Sequence, residues 1–390
     1  MGLDYLLVES CSASCEIIWH NRPLLHEFCA AAAEMTAAMP NVKILTLQPV
    51  RDRVEGWDVF EHAPCRFERD LHLVNTLSVI RNGELKRCSR GSVFCLGDCV
   101  EPREWRIFHD ELRASASFTA VRSGELVWLS DPRAFDDLRW DHHRFGTWSP
   151  SAQIAKLKEL RSIDISVIAA PEELPHITQP LAVPNFHLLE ADTRKRIIAS
   201  RLPLVLTGNF TAVDIPEGAE TICWHGGGEL NWCCVFLNWP GQLTRSTAIE
   251  ADREAIPFDE TVPFHLFREP YPHLDIPERF WRTAADRLRE LLGPLPLENE
   301  ADGIQLFRQY AADGAVRVML ISTRDHYIPV RYRCGAGKVS VSVVGSWPKL
   351  PLESKDRLLA HNEIKKIPLM IPPHGIIVAD IRPAGKAAEK

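Results

Sequence analysis

Short apolar runs and helix-like stretches take turns along this chain, and the run at its start is of the fully buried kind. Residues 3–8 are largely apolar and end on one carboxylate, Glu9. Strands covered on both faces read this way and lie inside a sheet. Residues 21–39, NRPLLHEFCAAAAEMTAAM, follow with Ala and Leu at helical spacing, and VKILTLQP is a second buried-strand pattern. FERDLHLVNTLSVI predicts another helix and RGSVFCLGD another strand. In EPREWRIFHDELRAS, Pro102 suits the first turn of a helix. Strand, helix, strand, helix in this order means parallel strands joined by right-handed crossovers. Three such strands cannot close a barrel, which takes about eight. Residues 1–115 are therefore expected to be a partial (β/α) barrel or the edge of an open sheet.

The alternation continues over 116–222 with different punctuation. ELVWLSD, DISVIAAPEEL, QPLAVPN and LPLVLTGN read as strands. SPSAQIAKLKELRS reads as a helix capped by Ser149 or Ser151, and LLEADTRKRIIASR as an amphipathic helix. A doubly wound sheet of the flavodoxin kind accounts for this order. Residues 223–315 read as an irregular connection carrying one helix, from about Pro277 to a stop at Gly293. Beyond it, VRVMLIS, YIPVRYRC, KVSVSVVG and GIIVADIRP are short β-rich runs between turn residues, suiting a small antiparallel β-sandwich over 316–390. The expected fold class is thus α/β, in three structured blocks.

Composition narrows the partners. A chain of 390 residues with 45% hydrophobic and 25% charged residues belongs with globular proteins. A net charge of −7 lacks the basic footprint of a general nucleic-acid binder, so nucleic acid is not an expected partner. Neither a bilayer-spanning stretch of about 20 apolar residues nor a leader pattern stands out; the expectation is a cytoplasmic protein without a membrane partner. The eleven cysteines, an odd number, are expected to be reduced thiols. Two pairs are spaced C-x3-C, Cys11/Cys15 and Cys95/Cys99, and would meet only if their loops adjoin. No metal and no organic cofactor is expected.

The second block carries a resemblance. ISVIAAPEEL followed by PLAVPNFHLLEADTRKRIIASRLPLVLTGN resembles the glutamine-amidotransferase-like domain that follows the barrel in family 42 β-galactosidases. VMLISTRDHYIPVRYRC and IPPHGIIVADIRP resemble the β-sandwich that ends those enzymes, and lacto-N-biose phosphorylases have a related plan. The resemblance covers about 116–385. It implies a carbohydrate substrate, galactoside-like, and a homo-oligomer, since the resembled domain serves trimerisation. Where amidotransferases carry a nucleophilic Cys, this chain has Phe186-His187 after PLAVPN, so the domain is expected to be structural. It also implies that residues 1–115 are the last part of a barrel whose first part lies outside this polypeptide.

Candidate chemistry follows from strand ends, which face the active site in barrel enzymes. Glu9 is the candidate catalytic carboxylate, a nucleophile by position, against a substrate-binding or merely solvated role. Asp98 is a candidate substrate-binding residue, against a cap for the helix beginning at Glu101-Pro102. Trp19, with His20 and Asn21, is the candidate sugar platform, against a Trp that packs helix to barrel. His142-His143 reads more simply as a surface pair. WHGGGELNW, residues 224–232, has the glycines of a lipase oxyanion loop, but the G-x-S-x-G turn that reading requires does not occur. A tight turn after TICW is the simpler reading. The non-enzymatic alternative is an assembly or sugar-binding module.

Overall fold

The opening apolar run forms the strand Tyr5–Glu9 in the computed structural model, paired in parallel with Lys43–Asp52. Lys43–Asp52 pairs in parallel on its other side with Ser89–Gly97. The structure describes residues 4–9, 25–131, 149–211, 213–227, 230–249, 276–298, 303–334, 339–344 and 366–383. The architecture is mixed α/β. The chain divides into two units: Met1–Val79, Glu84–Gly124 and Leu295–Lys390 make one, Ile80–Gly83 and Glu125–Pro294 the other.

In the first unit, alternate residues of Lys43–Asp52 decide which face is covered. Ile44, Thr46, Gln48 and Val50 are buried. Val50 joins a core with Trp57, Val59, Phe67, Leu71 and Phe108, contributed largely by the helices Pro64–Val74 and Pro102–Ala116. Phe94 of the third strand packs tilted on Phe108, ring centroids 4.1 Å apart. Each such side chain contributes about 1.5–3 kcal/mol by leaving water. The opposite face is less covered: Tyr5 is 50% and Leu7 52% exposed, and Leu7 lies in register with half-buried Leu45.

Two expectations change here. The helix read over 67–80 is two elements, Pro64–Val74 and the strand Ser78–Arg81. Polar side chains stop the helix: Asn75 Nδ2 donates to the Leu71 carbonyl at 2.8 Å and Thr76 Oγ1 to that of Leu73 at 2.6 Å. Pro64, with no N–H to lose, takes the first turn. Asp98 caps no helix: Glu101 is the N-cap of Pro102–Ala116, in a capping box with Glu104.

The same unit holds a sandwich of two antiparallel sheets. One orders Leu297–Glu298, Ile328–Arg333 and Lys366–Ile371; the other orders Val339–Val344, Ile376–Pro383, Val316–Ser322, Ile304–Tyr310 and Arg122–Ser123. Strand periodicity builds its core, with Ile328, Val330 and Tyr332 inward from one strand and Ile367, Leu369 and Ile371 from its neighbour. The sandwich thus draws strands from before residue 316. Arg122–Ser123 adds its edge by pairing with Gln309 and Tyr310.

The second unit is built around four parallel strands. Val167–Ala169, Val127–Leu129, Leu181–Val183 and Leu204–Asn209 lie side by side in that order, all parallel. In chain order this is 2-1-3-4, the flavodoxin-type arrangement. The sheet continues through Leu230–Leu237, antiparallel to both its neighbours, and Glu220–Gly227 to Ser246–Ile249, which pairs in parallel with Glu220–Gly227. The stretch 223–315 is accordingly richer in strands than an irregular connection. Its helix, Glu278–Leu292, lies where the pattern placed it and buries Phe280, Trp281, Ala284, Ala285 and Leu288. Arg289 anchors that helix through a two-pronged pair with Glu125, at 3.0 and 2.7 Å. The expectation that the thiols are reduced is corrected at one pair: the hairpin register sets Cys223 opposite Cys233, Cα atoms 4.1 Å apart, and they are joined as a disulfide. Gly226 and Gly227 end the first hairpin strand, with a register slip between His225 and Gly227.

Candidate functional site

Parallel pairing brings the carboxyl ends of Tyr5–Glu9, Lys43–Asp52 and Ser89–Gly97 to one edge of the first unit's sheet. Glu9 and Asp98 both belong to that edge, at different depths. Glu9 is level with Leu47, whereas Gly97, just before Asp98, is level with Arg51. At ~3.3 Å per residue along a strand and ~4.8 Å between strands, their Cα atoms stand on the order of 15–20 Å apart. Trp19, His20 and Asn21 lie outside the described residues, as do His142 and His143.

Asp98 is exposed, and its Oδ2 accepts the Arg53 N–H at 3.2 Å. The organising residue of this edge is Arg51. Its Nε donates to Asp58, its Nη2 to Glu104 Oε1 at 2.7 Å, and its Nη1 to the Cys99 carbonyl at 3.0 Å. The hydrogen bond to Glu104 dominates in holding the guanidinium charged; burial opposes it, and Asp58 adds to it. Both carboxylates have further tasks. Asp58 Oδ1 accepts the Phe60 N–H at 2.8 Å as cap of the helix Val59–His62. Glu104 Oε2 accepts the Glu101 N–H at 2.8 Å. The Arg51 cluster thus fixes the loop after Ser89–Gly97. The sequence carried half of this signal, since E-P-R-E is a capping box; nothing local announces Arg51.

The second unit has a narrow crevice beside the ends of Val127–Leu129 and Leu181–Val183. Trp128, Leu129, Ser130, Asp131, Pro150, Pro184, Asn185 and Leu189 line it. Asn185 occupies the left-handed region, φ 52°, at the sharp turn after Leu181–Val183. Its Oδ1 accepts from Gln153 Nε2 at 2.7 Å, and Gln153 Oε1 accepts from Thr207. The turn residue is thus an amide, without the nucleophilic power of a thiol. His187, two residues on, accepts the Asn209 N–H at Nδ1 over 3.2 Å. Burial, aided by Arg194, lowers its pKa to about 4, so it is neutral at pH 7. Gly208 is required beside it, because a Cβ there would lie 2.6 Å from His187 Nδ1. Cys234 is fully buried and its thiol pushed far up by that burial.

Metal-ligand chemistry among the described residues gathers at Glu68, His72 and Glu111 of the first unit, whose donor atoms all lie within 4.8 Å of one another. A local signal exists for part of it, since E-R-D-L-H sets Glu68 and His72 at i and i+4 on one helix face. Glu111 comes from another helix, 39 residues on, and is beyond such a reading.

No protein-family profile and no curated protein sequence matches the chain. Among solved structures, it is similar to a cold-adapted β-galactosidase from Rahnella sp. R3, with 11% identity and a TM-score of 0.45 over 97% of this chain and 60% of that one. It is similar to Gan42B, a GH42 β-galactosidase, with 11% identity and a TM-score of 0.42 over 93% of this chain and 69% of that one. Similarity to the GH42 exo-carrageenase of Bacteroides ovatus has 10% identity and a TM-score of 0.42, over 93% of this chain and 44% of that one. The chain thus spans from 44% to 69% of the length of these three proteins.

Proposed function

We propose that this is a carbohydrate-active protein built on the plan of the C-terminal portion of a barrel glycoside hydrolase or phosphorylase, with galactoside-like sugars as substrate class and a homo-oligomeric state. The observation that carries the reading is the first unit's sheet. Its three longer strands are parallel, with the two-residue strand Trp57–Asp58 antiparallel beside Lys43–Asp52; helices cover one face, the other face exposes Tyr5 and Leu7, and Glu9 ends the outermost strand. A parallel sheet is stable when both faces are covered, which a completed barrel supplies. In this reading Glu9 is the catalytic carboxylate, Trp19, His20, Asn21 and Asp98 bind sugar, and the doubly wound block over 116–222 serves assembly.

The second reading, a non-catalytic assembly or sugar-binding module, is favoured by the engagement of Asp58 and Glu104 with Arg51. One experiment divides the two. The purified chain is assayed against nitrophenyl glycosides, with and without phosphate, beside Glu9→Gln, and sugar binding is followed by calorimetry. The enzyme reading expects turnover that falls at least ~10³-fold in the variant, about the loss typical of a removed catalytic group. Binding without turnover supports the module. Neither binding nor turnover overturns the carbohydrate reading.

A further inference from the structure

The second unit holds a cavity of about 480 Å³, walled by the helix Ala191–Ala199 and the segment 213–216. That volume lies within the ~300–1,000 Å³ of small-molecule sites. Ile198, Val213 and Pro216 give it an apolar wall, and its charged lining residues are Arg194, Lys195 and Asp214. Arg194 comes to the cavity with half of its guanidinium tied. Its Nη1 donates to the His187 carbonyl at 3.1 Å and to the Leu189 carbonyl. This leaves the Nε–Nη2 edge, the one with which Arg317 of the first unit grips Asp380 at 2.7 and 2.8 Å. No carboxylate among the described residues takes that edge of Arg194. We propose that this cavity binds a sugar bearing one anionic group, a carboxylate or a phosphate, with the anion held by Arg194 and Lys195.

The guanidinium supports the assignment first. Two backbone carbonyls fix its plane, so little ordering is left to pay for when an anion takes the remaining edge through paired N–H···O bonds. Lys195 adds a second cation from the same wall. Its contact with Asp192, at 3.5 Å with side chains 79% and 91% exposed, is of the weak surface kind and leaves the ammonium able to turn to a ligand. With two cations and one carboxylate the lining favours a single negative charge. The rest of the lining selects the body that carries it. Asp214 is exposed and pairs with neither cation among the described residues, and a carboxylate in that state accepts hydroxyl hydrogens. Ile198, Val213 and Pro216 suit the C–H face of a ring. The sugar body rests on the carbohydrate reading above, whereas the anionic group rests on Arg194 and Lys195 alone.

The competing account makes Arg194 only a clasp for the backbone at 187–189, beside an empty hollow. The two are separated by calorimetric titration of the full chain with galactose, galacturonate and galactose-6-phosphate, and with acetate and inorganic phosphate as the anions alone. The proposal expects one of the two acidic sugars to bind at least ~10-fold more tightly than galactose and than its own free anion, the scale of one charge-assisted hydrogen bond. Which of the two it is tells carboxylate from phosphate. That preference should fall at least ~10-fold in both Lys195→Gln and Arg194→Lys, with folding checked by circular dichroism. Lys195 is exposed, so its variant keeps the test alive should Arg194→Lys fail to fold. Galactose bound as tightly as the acidic sugars, unchanged in the variants, leaves the carbohydrate reading standing and overturns this site. Acidic sugars bound undiminished by both variants place the anion elsewhere and overturn it equally. Acetate or phosphate matching the acidic sugars, or no binding by any of the five, overturns it as well.

Discussion

In the second unit the parallel strands Val127–Leu129, Val167–Ala169 and Leu181–Val183 have no residue more than 2% exposed. In the first, the outermost parallel strand leaves Tyr5 and Leu7 about half open, at 50% and 52%. Both sheets come from the same alternation of apolar run and helix, so strand pattern does not explain the difference. Closure does. The second unit's sheet runs on through two antiparallel pairings and one parallel pairing to Ser246–Ile249, and the helix Pro150–Arg161 is tied to it where Gln153 accepts from Thr207. The first unit's sheet has helices on one face, and Tyr5–Glu9 ends the sheet on its side among the described residues. A parallel sheet with one open apolar face has hydrophobic free energy still to gain, which makes that face the place to look for function.

The comparison can be broken or sharpened by substitution. The largest effect is expected for Leu181→Ala, at 0% exposure in the closed sheet: about 4 kcal/mol lost in chemical denaturation, from transfer and cavity terms together. Arg51→Met tests whether the open sheet is held at its edge by charge. It leaves Asp58 and Glu104, with side chains 11% and 8% exposed, without their guanidinium, and about 3 kcal/mol should be lost. His187 reports on burial in the second unit through pH. Its pKa, lowered to about 4 in the fold, lies below the unfolded value near 6.5. Protonation therefore favours the unfolded chain, and stability should decline by roughly 2 kcal/mol as pH falls from ~6.5 to ~4. A pH series of denaturation curves in which His187→Gln keeps that slope would refute the assignment. The smallest effect is expected for Leu7→Ser, under about 0.5 kcal/mol. A loss of several kcal/mol there would show that the open face is covered in solution.

Much of the fold was legible. Helices with caps and stops announced themselves: Ser149 does cap Pro150–Arg161, accepting the Ala152 N–H at 3.1 Å, and Gly293 follows Glu278–Leu292. Many strands with a strong apolar pattern were found, but Leu230–Leu237 and Ile304–Tyr310 were read as part of an irregular connection. Lys366–Ile371 was missed, although its inward and outward residues alternate without fault, because Pro368 and two adjacent lysines obscure the run. Of the candidate site, Glu9 and Asp98 were rightly read as strand ends. What could not be read was how far their registers would set them apart.

The sequence by itself determined most of the helices, many of the strands, and that the three longer strands Tyr5–Glu9, Lys43–Asp52 and Ser89–Gly97 run parallel, because periodicity, caps and crossover handedness act within a few tens of residues. Tertiary structure alone decided that Arg122–Ser123 would edge a sheet with Gln309 and Tyr310, that Cys223 would face Cys233, that Arg51 would gather Asp58 and Glu104, and that Glu111 would meet Glu68 and His72. Such meetings are set by which apolar surfaces can be buried together and at what register. That is a property of the packed chain as a whole, to which no local pattern is sensitive.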